Sequence, residues 1–119
     1  MSKPQSAFSL NSHFENKEPI VRSIYDQLLK KVRQFGQVVE DPKKTSIHLV
    51  NAKAFAGVAT RKNSINLTIK GDRNISSPRI HKTEQVSANR FHHELKLTSP
   101  ADVDAELLGW LQEGYSLSR

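Results

Sequence analysis

Between positions 19 and 35 the apolar residues recur every three or four places. Val21, Tyr25, Leu28, Val32 and Phe35 form one series, with Ile20 and Ile24 beside it. That spacing lays a single apolar stripe along a helix. Pro19 suits a first helical turn and Glu18 its positive end. Lys30, Lys31 and Arg33 suit the negative end, and Gly36 is a natural stop. The pattern predicts an amphipathic helix over 19–35.

Past Gly36 the period falls to two. Residues 37–40 read as a short strand closed by Asp41 and Pro42, and 46–50 as a second with Ile47 and Leu49 on one face. A third spans 55–60, where Ala56, Gly57 and Ala59 permit close packing. The clearest is 64–70: Ile65, Leu67 and Ile69 point one way, and Asn66, Thr68 and Lys70 the other. A Gly, Asp, Asn, Ser and Pro-rich loop over 71–78 leads to a weaker strand at 79–86, and 90–98 is the last strand. Ser99, Pro100 and Asp102 then resemble the N-cap, N1 and N3 positions of a capping box. The helix they open has an inner stripe of Val103, Leu107, Trp110, Leu111 and Gly114.

Two one-sided helices and one sheet with a single apolar face have a simple packing solution. The fold expected is α+β: an antiparallel sheet of four to six strands, with an N-terminal and a C-terminal helix packed on one face. Residues 1–15 lack a period and are expected to be a flexible leader, with 16–117 forming one domain. An open sheet also leaves edges, so a monomer or weak dimer is expected.

Composition narrows the functional classes. A chain of 119 residues with 36% hydrophobic and 25% charged residues folds as one polar domain rather than remaining disordered. It has no cysteine, which removes thiolate metal sites and cysteine nucleophiles and is consistent with a reducing, cytoplasmic setting. No stretch resembles a signal peptide or membrane span, so no membrane association is expected. Charge is uneven. Residues 43–96 carry eleven Lys and Arg against three Asp and Glu, a net of +8 in a chain of net +6. Such a segment attracts polyanions, although a solvated basic surface has the same composition.

Strand alternation decides the meaning of the adjacent histidines His92 and His93. His93 shares a face with Phe91, Leu95 and Leu97, and His92 shares one with Arg90, Glu94 and Lys96. They cannot both ligate one ion. His93 is expected at the edge of the core, hydrogen-bonded, and His92 on the open polar face. Ser46 and His48 join that face from the second strand and Lys70 from the fourth, with His81 a further candidate. His48, His92 and Glu94 have no metal-motif spacing, and nearby lysines oppose a cation, so neither a metal nor a cofactor is expected. Lysine, histidine and hydroxyl donors together suit an anion. No P-loop, nucleophile elbow, HExxH or dinucleotide fingerprint is present, and no catalytic residue is assigned. The pair His92 and Glu94 reads as a surface ion pair. Because the aromatic residues mostly fit apolar stripes, the polar face is expected to contact backbone rather than stack bases.

Several short stretches carry a family resemblance. These are Gly36–Glu40, Lys44-Thr45-Ser46-Ile47, Phe55-Ala56-Gly57-Val58, Ile65–Ile69 and, most of all, His93–Asp104. The chain from about Phe14 to Tyr115 resembles a small family of bacterial domains of unknown function, family 5655. The resemblance implies a compact α+β domain without an assigned activity, and marks Lys44 and Thr45 as a recurring position. The 71–89 region departs from it, lacking the tryptophan that the family tends to carry there.

The candidate anion-binding residues are therefore Lys44, His48, Lys70, His92 and Lys96. Nucleic acid or another polyanion is the leading expected partner. The other classes are an accessory module for an acidic protein partner, and a small enzyme or ligand-binding domain with a pocket near His48 and His92.

Overall fold

The computed structural model describes residues 8–119, so the first half of the expected leader lies outside the described residues. Helix α1 (Pro19–Val32) buries Val21, Ile24, Tyr25, Leu28, Leu29 and Val32, the stripe that its spacing predicts. It ends three residues earlier than expected. The N–H groups of Gln34 and Phe35 turn to the carbonyls of Lys31 and Val32, three residues back, which tightens the last turn. Gly36 then takes a φ of 149°, and a Cβ there would lie 2.5 Å from the Tyr115 hydroxyl, so two constraints select glycine. Phe35, outside the helix, packs on Tyr115 instead.

Six strands follow: β1 (Val39–Pro42), β2 (Ile47–Val50), β3 (Ala54–Thr60), β4 (Ile65–Gly71), β5 (Ile80–Ser87) and β6 (Arg90–Leu97). They form one sheet in the order β1-β2-β3-β4-β6-β5, with every neighbouring pair antiparallel. β1 lies two residues later than its expected position at 37–40. The chain passes from β4 to edge strand β5 across β6. That crossing loop is tied down by buried Ile75, by an Arg73–Glu113 ion pair at 2.9 Å, and by Arg79, which pairs with Asp104 and Glu106.

Alternation puts Ile47, Leu49, Ala56, Val58, Ile65, Leu67, Ile69, Leu95 and Leu97 on one face, all nearly or fully buried. β3 carries a bulge: Leu49 pairs with Ala56 and Val50 with Ala54, so Phe55 is an extra residue and is buried next to Ala56. Both helices cover this face. Burial of each large aliphatic side chain stabilises by roughly 1.5–3 kcal/mol, so this layer is the main source of stability.

The C-terminal helix begins later than the sequence suggests. Ser99 does cap a capping box, but the box closes a 3-10 turn, Pro100–Asp102. The Asp102 carboxylate accepts from the Thr98 and Ser99 N–H groups. Val103 then leaves helical geometry to bury its side chain, and Asp104 caps α2 (Ala105–Leu117) by accepting from Leu107 N–H. The inner stripe of α2 is Leu107, Trp110, Leu111 and Gly114.

The described part of the leader segment holds a 3-10 helix, Asn11–Phe14. His13 is buried there; its Nε2–H donates to the Lys43 carbonyl at 2.8 Å, and the Thr60 hydroxyl donates to its carbonyl. Phe14 packs against Tyr25 at 5.2 Å. Among the described residues, no helix is long and apolar enough to cross a membrane.

Candidate functional site

The two histidines of β6 separate as alternation requires. His93 is fully buried. Its Nε2 lies 3.1 Å from the Arg73 carbonyl, which can only accept, so Nε2 carries a proton. In the neutral ring Nδ1 then accepts from the Thr83 hydroxyl, also at 3.1 Å. His93 thus joins the crossing loop and β5 to β6. It is a structural residue.

His92 lies on the other face, directly opposite Lys70 of β4. On that same face His48 of β2 sits opposite Gly57 of β3, and Gly57 opposite Thr68 of β4. Gly57 has no side chain, so the face dips there. The result is a groove of about 240 Å³ lined by Ser46, His48, Gly57, Thr68, Lys70 and His92 among others. A Cβ on Gly57 would meet Thr68 and His48 at ordinary contact distance, so the floor is open because of this residue and not because the neighbours stand apart.

The electrostatics of the groove centre on Lys70. Burial, then Lys70, then Lys43 hold the His48 imidazole below the usual histidine range, with Asp41 opposing. Burial and then Lys70 do the same to His92, where Glu84, its partner across β5, opposes. Both rings are therefore mostly neutral at pH 7 and able to donate one N–H each. Among the described residues, no carboxylate pairs with Lys70.

Of the five residues expected from sequence, His48, Lys70 and His92 come together. Lys44 does not: it is exposed in the turn between β1 and β2 and lines no part of the groove. Lys96 shares the face but sits opposite Asn66, beyond the groove, and is exposed. Glu94 engages Asn66 at 3.1 Å and approaches His81 and Lys82 at 3.8 and 3.9 Å. It pairs with these rather than with His92, and His81 sits with it, outside the groove. Among the described residues, no three His, Asp or Glu side chains are grouped to hold a metal ion.

A second and larger cavity, about 400 Å³, lies at the adjoining end of the sheet. Lys70 and His92 line it too, together with Lys53, Arg90, Asp72, Phe91, Gly114 and Leu117. Sequence reading placed Arg90 on the polar face but did not single out Lys53. Lys53 is brought in by the C-terminus: the Ser118 carbonyl accepts from the Ala52 and Lys53 N–H groups, at 3.0 and 2.9 Å. No local motif signals a contact between residues so far apart in the chain.

These features define a small α+β domain with a cationic, glycine-floored sheet face. The chain belongs to the family described as a domain of unknown function (DUF5655), whose model matches residues 10–118. Neither the curated proteins nor the solved structures contain a match to it.

Proposed function

We propose that the domain is a non-catalytic binding module whose polar sheet face engages the phosphate backbone of a nucleic acid. The observation that carries this reading is Lys70: a partly buried lysine without a carboxylate partner among the described residues, lining an open groove together with two imidazoles. An anion there gains a charge-assisted bond to Lys70 and neutral donors from His48, His92, Ser46 and Thr68. Hydrogen bonds to charged groups are worth about 1.5–3 kcal/mol each. The net +8 of residues 43–96 extends the attraction beyond the groove and favours a polyanion over an isolated ion. Among the described residues no Phe, Tyr or Trp side chain lines the groove, which supports contact with backbone rather than stacked bases. In this proposal the module works in the cytoplasm of a bacterial cell, where nucleic acid is the abundant polyanion.

Lys70→Glu is expected to weaken binding of a fluorescent oligonucleotide at least roughly tenfold in anisotropy titrations, because it reverses the central charge. Lys96→Glu, which changes a charge outside the groove, is expected to cost about two- to threefold. Equal losses would contradict a site centred on Lys70.

A further inference from the structure

The cavity at the end of the sheet differs from the groove in chemistry. Three cations converge on it from separate elements: Lys53 from the turn before β3, Lys70 from the end of β4 and Arg90 from the start of β6. His92 adds a ring nitrogen and Asn89 an amide, and Asp72 is the one carboxylate side chain on its wall. None of the three cations has an ion-pair partner among the described residues. Phe91, Gly114 and Leu117 also line it, so the cavity offers apolar surface as well as cations. Its volume of about 400 Å³ falls within the usual range of small-molecule sites, whereas the groove on the sheet face is only about 240 Å³.

We infer that this cavity is a site for a nucleoside monophosphate unit, its phosphomonoester held by Lys53, Lys70 and Arg90 and its sugar and base set against Phe91 and Leu117. The inference rests on the proposed nucleic-acid reading, since Lys70 and His92 line both cavities and would connect a strand on the face to its end in the cavity. The charge argument is specific. A phosphomonoester carries about −1.5 to −2 at pH 7, and an internal phosphodiester carries −1. Three converging cations offset by one carboxylate match the former. Arg90 also supplies the planar fork that binds phosphate oxygens in pairs. The unit can come from the terminus of a strand or from a free mononucleotide.

The test uses the full chain and a set of unlabelled competitors against an internally labelled single-stranded oligonucleotide. The competitors are identical strands with a 5′-phosphate, a 3′-phosphate or hydroxyls at both ends. In parallel, a free nucleoside 5′-monophosphate is titrated and amide shifts are followed by NMR. A phosphorylated end is expected to compete roughly tenfold better than hydroxyl ends. The mononucleotide is expected to shift the amides of Phe91, Gly114 and Leu117. Lys53→Gln with Arg90→Gln, both at exposed positions, is expected to remove the end preference and leave binding of the hydroxyl-ended strand within about threefold. Mononucleotide binding without strand binding would support the cavity as a free-nucleotide site and overturn the reading of the sheet face. Strand binding with no end preference and no mononucleotide shifts would overturn the cavity inference and leave the sheet-face reading standing. Absence of both kinds of binding would overturn the two together.

Discussion

His93→Ala is expected to destabilise the domain by about 3 kcal/mol, lowering its melting temperature by roughly 10 °C, while His92→Ala stays within about 0.5 kcal/mol of the parent. The two residues are neighbours in sequence and identical in chemistry, so the difference comes only from the face each occupies. Removing the His93 ring opens a cavity in a fully buried position. It also removes the bonds to the Arg73 carbonyl and the Thr83 hydroxyl, and so loosens the crossing loop and edge strand β5 from β6. The His92 side chain makes no hydrogen bond to another described residue, and it lines the groove. Thermal and urea denaturation of both variants checks this. Equal losses would show that β6 lies in the opposite register.

A second large effect is expected at two glycines of α2. A Cβ on Gly114 would lie 2.5 Å from the Lys70 carbonyl oxygen and 3.5 Å from that of Phe55. Both are backbone atoms of the sheet and cannot rotate away. Gly114→Ala must therefore lift the helix off β3 and β4, loosening the Phe55–Tyr115 edge contact. The gain in helix propensity, up to about 1 kcal/mol, is outweighed by the overpacking, and a net loss of about 2 kcal/mol is expected. A Cβ on Gly109 meets nothing within 4 Å, so Gly109→Ala in the same helix should instead gain about 0.5–1 kcal/mol. The opposite signs are read from urea midpoints. Two stabilising changes would mean that α2 does not seat on the sheet at Gly114.

Much of this architecture is legible in the chain because its periods are clean. The alternation through Ile65–Gly71 and Arg90–Leu97 assigns each side chain to a face, and with it the separate roles of His92 and His93. The burial stripe of α1 follows in the same way. Boundaries were less legible where tertiary contacts decide them. Phe35 fits the helical spacing, but its packing against Tyr115 draws it out of the helix. Ser99 to Asp102 carries a strong local cap motif, yet burial of Val103 cuts the helix there and Asp104 starts it again. The groove was partly legible for the same reason. Period two puts Lys70, His92, His48 and Lys96 on one face, but the cross-strand register decides that Lys96 falls opposite Asn66 and away from Gly57. Lys44 carried only a family resemblance and a charge, and its turn holds it away. The cavity at the sheet end depends on the strand order and on the C-terminus bonding to the turn before β3, and neither leaves a mark in local sequence.

The central claim is that an anion sits beside Lys70 between His48 and His92, and NMR titration of the five histidines, with and without a short oligonucleotide, tests it most directly. In the free domain burial and the Lys70 charge favour neutral rings at both positions. A bound phosphate cancels that field and accepts from the imidazolium, so both midpoints should rise. The complex then holds more protons than its free components, and affinity should increase as pH falls from the usual histidine range toward the depressed values. Saturating oligonucleotide that moves neither His48 nor His92 would contradict the account.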